Sequence, residues 1–448
     1  MNIMPHLVCA MQTVLTVVAE TVAKTTGFIK RHRKLTGATF VQALVFGWLS
    51  NPKATLEELS QAAATVGVDI TPQSLDERFT PDAAETLKQV LDAAVLQVVA
   101  ADAQAVPLLE RFNGVYVQDS SWISLPDSLV EVWKGCGGKT DHSTQSSVKV
   151  QLRWEMLTGS LCHLSLHDGV AHDCHALASD CLPALSLRLA DLGYFSLDEL
   201  KALGDQNAFW LTRIQAMCVI FDTEGNRRDL AKWLSLQPQT EVELAIRLGV
   251  HAQLECRLLA QRVSDEVASR RRRQLRSQAR RKGKMPSHTR LKLADWNLLA
   301  TNVPPEKLTV KEAMILARVR WQIELLFKLW KNHGYIDEWR SQKPWRILCE
   351  VYAKLIAMII QHWILLCGCW CYPNRSLQKA AKTVASHALH LATAFASGEV
   401  QRLVFALTTI GRCLAVGCRI YKRKNDPTTY QLLLAITGES QEMESPTS

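Results

Sequence analysis

The chain has 448 residues, 48% of them apolar and 21% charged, with 52 Lys and Arg against 43 Asp and Glu. These proportions are those of an ordinary globular protein and exclude a wholly disordered, collagenous or coiled-coil chain; the length allows roughly two to four domains. The formal charge of +9 is unevenly placed, because Arg262 to Lys292 holds twelve Lys and Arg and two acids, Asp265 and Glu266. That stretch carries +10 and the rest sums to about −1, so a near-neutral chain carries one segment suited to a polyanion contact.

Thirteen cysteines contain no C-x-x-C pair, and the tightest cluster, Cys367-Gly-Cys369-Trp-Cys371, lies in an apolar run. Reduced, mostly buried thiols are expected, not disulfides or structural zinc. The apolar stretch Leu7 to Val22 has no basic residue before it and contains Glu20, which argues against a signal peptide. Leu355 to Tyr372 approaches a membrane span in length, but Gln361 and His362 interrupt it. A core helix is the expectation.

Residues 1–105 read as helical. Thr55 with Glu58 forms a capping-box pattern, a turn follows at Gly67, and Pro72 opens a second helix towards Phe79, an arrangement compatible with a helix-turn-helix or a plain bundle. The basic run Lys30-Arg31-His32-Arg33-Lys34 adds weight to DNA contact. From about 106 the period becomes that of strands. Gly114 to Asp119 reads as a strand ending at an acid, Ser146–Trp154 and Leu161–Leu166 as a hairpin turning at Thr158-Gly159, and Leu185–Asp191 as another strand ending at an acid. Residues 210–265 alternate and should be β-rich. A basic helix, Arg270 to Lys284, stops near Pro286, and Trp296–Ala300 forms one more strand. A long helix is expected over 310–332, helices over 345–435, and a disordered tail over 438–448.

Three carboxylates stand out: Asp119 and Asp191 close strands, and Glu324 lies on the 310–332 helix. At about 100° per residue, Arg320, Glu324 and Lys331 share one face within about 40°. The opposite face, including Ile315, Leu316, Val319, Ile323, Leu326, Leu329 and Trp330, is apolar. Such a stripe is either solvated or turned to an anionic, metal-loaded cleft. Each residue alone is more simply a turn acid or a surface ion pair.

Arg320-Trp321-Gln322-Ile323-Glu324-Leu325-Leu326-Phe327-Lys328-Leu329-Trp330-Lys331 resembles the last catalytic helix of insertion-sequence DDE transposases of the cut-and-paste type, in the group marked Y-x2-R-x3-E-x6-K. Asp119-Ser-Ser and Asp191-Leu-Gly193-Tyr194 are similar to that family's first and second Asp elements. The resemblance covers residues 45 to 365. It implies an α/β fold: a ribonuclease H-like catalytic core with a β-rich insertion and flanking helical regions. It also implies that Asp119, Asp191 and Glu324 are catalytic and bind two Mg²⁺, with Mn²⁺ as a substitute. The activity implied is metal-dependent hydrolysis at the ends of the chain's own element, often through a hairpin, then strand transfer into target DNA. Arg320 and Lys331 would hold phosphates, and Trp296 would stack a flipped base, although a core aromatic is the plainer reading of that residue. The signature tyrosine position is Ala317, which offers no hydroxyl to a phosphate.

The expected domains are 1–105, helical with possible DNA-end binding; 106–210, the core with both Asp; and 211–300, the β-rich insertion with the basic helix. They continue with 301–345, the Glu helix; 346–437, helical with possible dimerisation; and 438–448, the tail. Partners implied are double-stranded DNA (terminal inverted repeats and target) and a second copy in the synaptic complex, with no membrane and a cytoplasmic, nucleoid-associated location. Arg271, Arg272, Arg280 and Arg281 are expected to grip backbone phosphates. The rivals are a domesticated or inactive DNA-binding relative and a membrane protein built on 355–372. His167-Asp168 with His172-Asp173-Cys174-His175 has metal-ligand residue types without zinc spacing, and Gly135-Cys-Gly-Gly-Lys139 lacks the spacing of a phosphate loop.

Overall fold

The computed structural model describes residues 3–31, 34–103, 106–137, 144–173, 182–370 and 375–420, with 432, 433 and 435. His32, Arg33, Gly138, Lys139, Cys174, His175, Cys371 and the 438–448 tail lie outside the described residues. The chain divides into two compact units. One comprises Met1–Gln104, Ser120–Ala171 and Glu324–Asn425; the other comprises Ala105–Asp119 and His172–Ile323.

The first unit is mainly helical. Thr55 and Glu58 cap the Leu56–Thr65 helix reciprocally: the Glu58 N–H donates to Thr55 Oγ1 at 3.2 Å and the Thr55 N–H to Glu58 Oε2 at 2.6 Å. The next helix is only Pro72–Asp76 and stops short of Phe79. Thr80 precedes Pro81, which disfavours helical backbone at Thr80, and instead caps the Pro81–Val95 helix. A five-residue helix is too short to serve as a recognition helix in a groove, so the helix-turn-helix expectation gives way to a bundle.

At the centre of this unit runs the Pro344–Gly368 helix, buried from Ile347 to Leu366 without a break. Met4–Thr25 and Pro344–Gly368 are both long and apolar enough to cross a membrane, and 94% of the latter's apolar window is buried inside the protein. Several of its buried polar residues are paired internally, Gln361 Nε2 donating to the Ala381 carbonyl at 3.3 Å. The His362 Nε2 pairs with the Gly159 carbonyl at 2.7 Å, and the Tyr352 hydroxyl accepts from Trp133 Nε1 at 2.8 Å. Strands β1 (Val115–Leu125), β2 (Ser146–Glu155) and β3 (Leu161–Asp168) contribute here, β1 by its second half. The β2–β3 hairpin is antiparallel, as the alternation predicts. Gly159 in its turn has φ +74°, and a Cβ there would sit 2.5 Å from Leu366 Cδ2.

The second unit is built on a large mixed sheet. It contains β4 (Leu187–Ala190), β5 (Phe209–Arg213), β6 (Ile220–Phe221), β7 (Arg227–Arg228), β8 (Glu241–Leu248), β9 (Leu254–Arg262) and β10 (Trp296–Thr301). The order is β1-β4-β5-β10-β9-β8-β6-β7. Strands β1, β4 and β5 are parallel and the remaining pairs antiparallel. The Leu197–Asp205 helix connects β4 to β5, as a parallel pair requires. Trp210, Leu234, Ile246, Leu258 and Trp296 lie in one buried apolar cluster of this unit.

Candidate active site

Asp119 does not end its strand. β1 continues to Leu125, and Ile123 and Leu125 are buried on the same alternate register as Val115 and Val117. Ser120-Ser121 looks like a strand end only because the buried face is interrupted there by polar residues. Before the acid, Val115–Gln118 pairs in parallel with Leu187–Ala190.

Asp191 follows β4 directly and starts a single 3-10 turn, Leu192–Tyr194, its carbonyl accepting from the Tyr194 N–H at 3.0 Å. Gly193 in this turn lies close to the Asp173 carboxylate, whose Oδ2 would be 2.9 Å from a Cβ placed there. Behind both acids is Arg188, a buried cation that sequence reading missed. It donates to Gln118 Oε1 at 3.3 Å, pairs with Glu199 at 3.5 Å and lies over the Tyr194 ring. It thereby ties the residue before Asp119 to the turn after Asp191. An Arg inside an apolar strand was the available signal.

The two acids meet at Arg320. Its Nη1 is 3.4 Å from Asp119 Oδ2 and its Nε is 3.9 Å from Asp191 Oδ1. The Arg320 and Asp119 side chains are 13% and 17% exposed, whereas that of Asp191 is 42% exposed, so the cleft opens on the Asp191 side. Arg320 also interrupts the expected long helix, which is two helices, Val310–Val319 and Trp321–Gly334. There the Ile323 N–H reaches back three residues to the Arg320 carbonyl. Hydrophobic periodicity passes smoothly through such a break and cannot reveal it. Glu324 therefore sits in the first turn of the second helix, where backbone N–H groups favour an anion. Lys331, in the last turn, donates to the Trp122 carbonyl at 2.7 Å and lies 3.6 Å from Asp337.

Ala317 lines a pocket of about 10 Å³ with Ala190, Thr212, Arg213 and Arg320, room for a single water at most. Trp296 is 6% exposed within the apolar cluster, with the Arg262 guanidinium 5.0 Å from its ring centre. It occupies a core position, and a base could reach its face only if the cluster opened. The basic helix is Asp265–Arg281, capped by Ser264, and its arginines divide. Arg271 donates to the Trp296 carbonyl at 3.2 Å and to Asn297 Oδ1 at 2.6 Å, and Arg272 pairs with Asp295. Burial, then the nearby cations Arg213 and Arg270, lowers the Arg271 pKa. Arg270, Arg273, Arg276, Arg280 and Arg281 are exposed. Arg271 and Arg272 thus fasten the helix, and the outer stripe is open to a polyanion.

On β3, His163, Ser165 and His167 form a hydrogen-bonded row at 3.0 and 2.8 Å, which accounts for His167 without a metal. Among the described residues no three His, Cys, Asp or Glu side chains already stand grouped as a metal site. The chemistry of the Asp119–Asp191 pair nonetheless suits a hard cation, since two carboxylate oxygens converge on one positive group.

A family model described as "Transposase DDE domain" matches residues 93–360. The transposase for insertion sequence element IS231B of Bacillus thuringiensis subsp. berliner is 26% identical over 366 residues, covering 76% of this chain and 75% of that protein. The transposase for IS1151 of Clostridium perfringens is 27% identical over 373 residues, covering 77% of each. The cryo-EM structure of the piggyBac transposase synaptic complex with hairpin DNA is similar at 10% identity and a TM-score of 0.42, over 99% of this chain and 82% of that one. The two strand acids and the Glu helix lie inside the matched span, and the chain belongs to the transposase DDE domain family.

Proposed function

We propose that this DNA transposase cuts the ends of its own insertion sequence and joins them to target DNA, with Asp119, Asp191 and Glu324 as ligands of two Mg²⁺, for which Mn²⁺ substitutes. The observation that carries the reading is the convergence of Asp119 and Asp191 on Arg320, one turn ahead of Glu324 along the chain. The parallel β1-β4-β5 arrangement, with an acid within β1 and another after β4, supports a ribonuclease H-like core.

Bound there, such ions would promote ionisation of the attacking water and stabilise both oxygens of an in-line displacement. The chain's own groups do the rest. Arg320 presents two N–H directions and can transfer one from carboxylate to an arriving phosphate as a charge-assisted bond. Lys331 supplies a point charge whose position is set by the Trp122 carbonyl and Asp337. The outer arginines of the Asp265–Arg281 helix hold backbone phosphates without reading sequence. Two copies would pair the two ends, and the substrate would be the terminal inverted repeats. The test is cleavage of end DNA in Mg²⁺: Glu324→Ala should abolish it while leaving DNA binding intact, and a cutting Glu324→Ala protein would end this reading.

A further inference from the structure

A cavity of about 690 Å³ opens in the helical N-terminal part of the first unit, within the roughly 300–1,000 Å³ of small-molecule sites. Two helix ends shape it. Past the Ala19–Thr25 helix, Gly27 takes φ +77° and the Ile29 N–H reaches back to the Ala23 carbonyl at 2.9 Å. Past the Leu56–Thr65 helix, Gly67 takes φ +82° and the Val68 N–H reaches back to the Ala63 carbonyl at 3.0 Å. Glycine tolerates that left-handed turn, which folds the chain back on the last carbonyls of a helix. Ile29 and Val68 thereby become walls of the cavity, together with Phe28, Leu35 and Ile70. Phe28 is braced by Phe40, with ring centres 4.6 Å apart.

The remaining walls are charged. Lys30, Arg31, Lys34 and Arg78 bring four cations, and Asp69, Glu77 and Asp82 bring three carboxylates. Among the described residues, none of these seven side chains forms an ion pair or hydrogen bond. Charges of both signs thus line one cavity without neutralising each other, and all remain available to a ligand. Their mixture decides its class. A duplex backbone is uniformly anionic, so three carboxylates would repel it. A nucleotide meets every wall at once: phosphates suit the cations, amino and hydroxyl hydrogens suit the carboxylates, and a planar base suits the apolar side. We propose that this cavity binds a free nucleoside triphosphate, with its phosphates on the four cations and its sugar or base hydrogens donated to the carboxylates.

The experiment is calorimetric titration of the full chain with ATP, GTP, CTP and UTP in turn, in EDTA so that no metal at Asp119, Asp191 and Glu324 contributes. At least one nucleotide should bind one-to-one with a micromolar Kd. Inorganic tripolyphosphate and the matching nucleoside should each bind about tenfold more weakly or worse. Arg78→Gln should weaken the nucleotide by about ten- to a hundredfold, the range for a lost hydrogen bond to a charged group. Lys34→Gln, at an exposed position where folding is not at stake, should weaken it about tenfold. Asp82→Asn should weaken the nucleotide and leave tripolyphosphate no weaker. Absence of binding by all four nucleotides at millimolar concentration overturns the proposal. So does tripolyphosphate binding as tightly as the nucleotide, or a nucleotide Kd that none of the three variants moves. If a random-sequence duplex, and no nucleotide, lost affinity in both cation variants, the cavity would be a seat for DNA backbone and the proposal would fall.

Discussion

Two cations in this chain each meet carboxylate, and their surroundings set them apart. Lys354, 1% exposed in the first unit, pairs with Glu350 at 2.8 Å and donates to the carbonyls of Tyr335 at 3.0 Å and Glu338 at 2.7 Å. Burial pushes the Lys354 pKa down and the Glu350 pKa up, each partly opposed by its partner's charge. Tyr335 carries φ +46° just past the Trp321–Gly334 helix, so the lysine holds the backbone that ends the Glu324 helix. Arg320, in the second unit, reaches its acids at longer range, and one of them is nearly half exposed. A cation with all three donors engaged in the interior is structural, whereas one shared between partly open acids can exchange partners. Depth of burial, more than the presence of an ion pair, separates the two cations.

The largest expected effect breaks the structural member. Lys354→Met leaves Glu350 buried without its cation and should cost about 3–5 kcal/mol in chemical unfolding. Replacing both, as Lys354→Met with Glu350→Leu, should recover much of that. A double variant no more stable than the single one would contradict this assignment.

His362 sharpens the same contrast. Burial depresses its pKa from 6.5 to about 4, with the Gly159 carbonyl pulling the other way. The unfolded chain therefore binds this proton more readily than the folded one. The stability contributed is complete above pH 6.5 and is lost as pH falls towards 4, on the order of 3 kcal/mol. Melting temperature against pH should fall across that window and fall less in His362→Gln; parallel curves would remove His362 as the cause.

The smallest effect separates the two faces of the basic helix. Neutralising Arg280 and Arg281 should lower the salt slope of duplex binding by about 0.9 per residue. Arg272→Gln, which loosens the helix from Asp295, should cost up to about 1 kcal/mol of stability, since both side chains are partly exposed. If Arg272→Gln shifted only the slope, the division into fastening and DNA-facing arginines would be wrong.

What could be read in advance follows range of interaction. The hairpin, the helical segment that carries Glu324 and the approximate position of the basic helix are local patterns of period and spacing, and those were legible. The continuation of β1 past Asp119 was hidden by two serines. The break at Arg320 was hidden because both flanking helices keep one apolar period. Arg271 and Arg272 are identical in sequence to their exposed neighbours and differ only through Asn297 and Asp295, more than twenty residues away. The burial of Trp296 likewise depends on strand pairing that no local window contains.

The most direct test is cleavage of a terminal-repeat duplex in Mg²⁺ by Asp119→Asn, Asp191→Asn and Glu324→Ala, each also measured for DNA binding and thermal stability. All three should bind the duplex, fold as the wild type does and leave the strand uncut. A single one of them cutting at a rate near that of the wild type would contradict the three-carboxylate site.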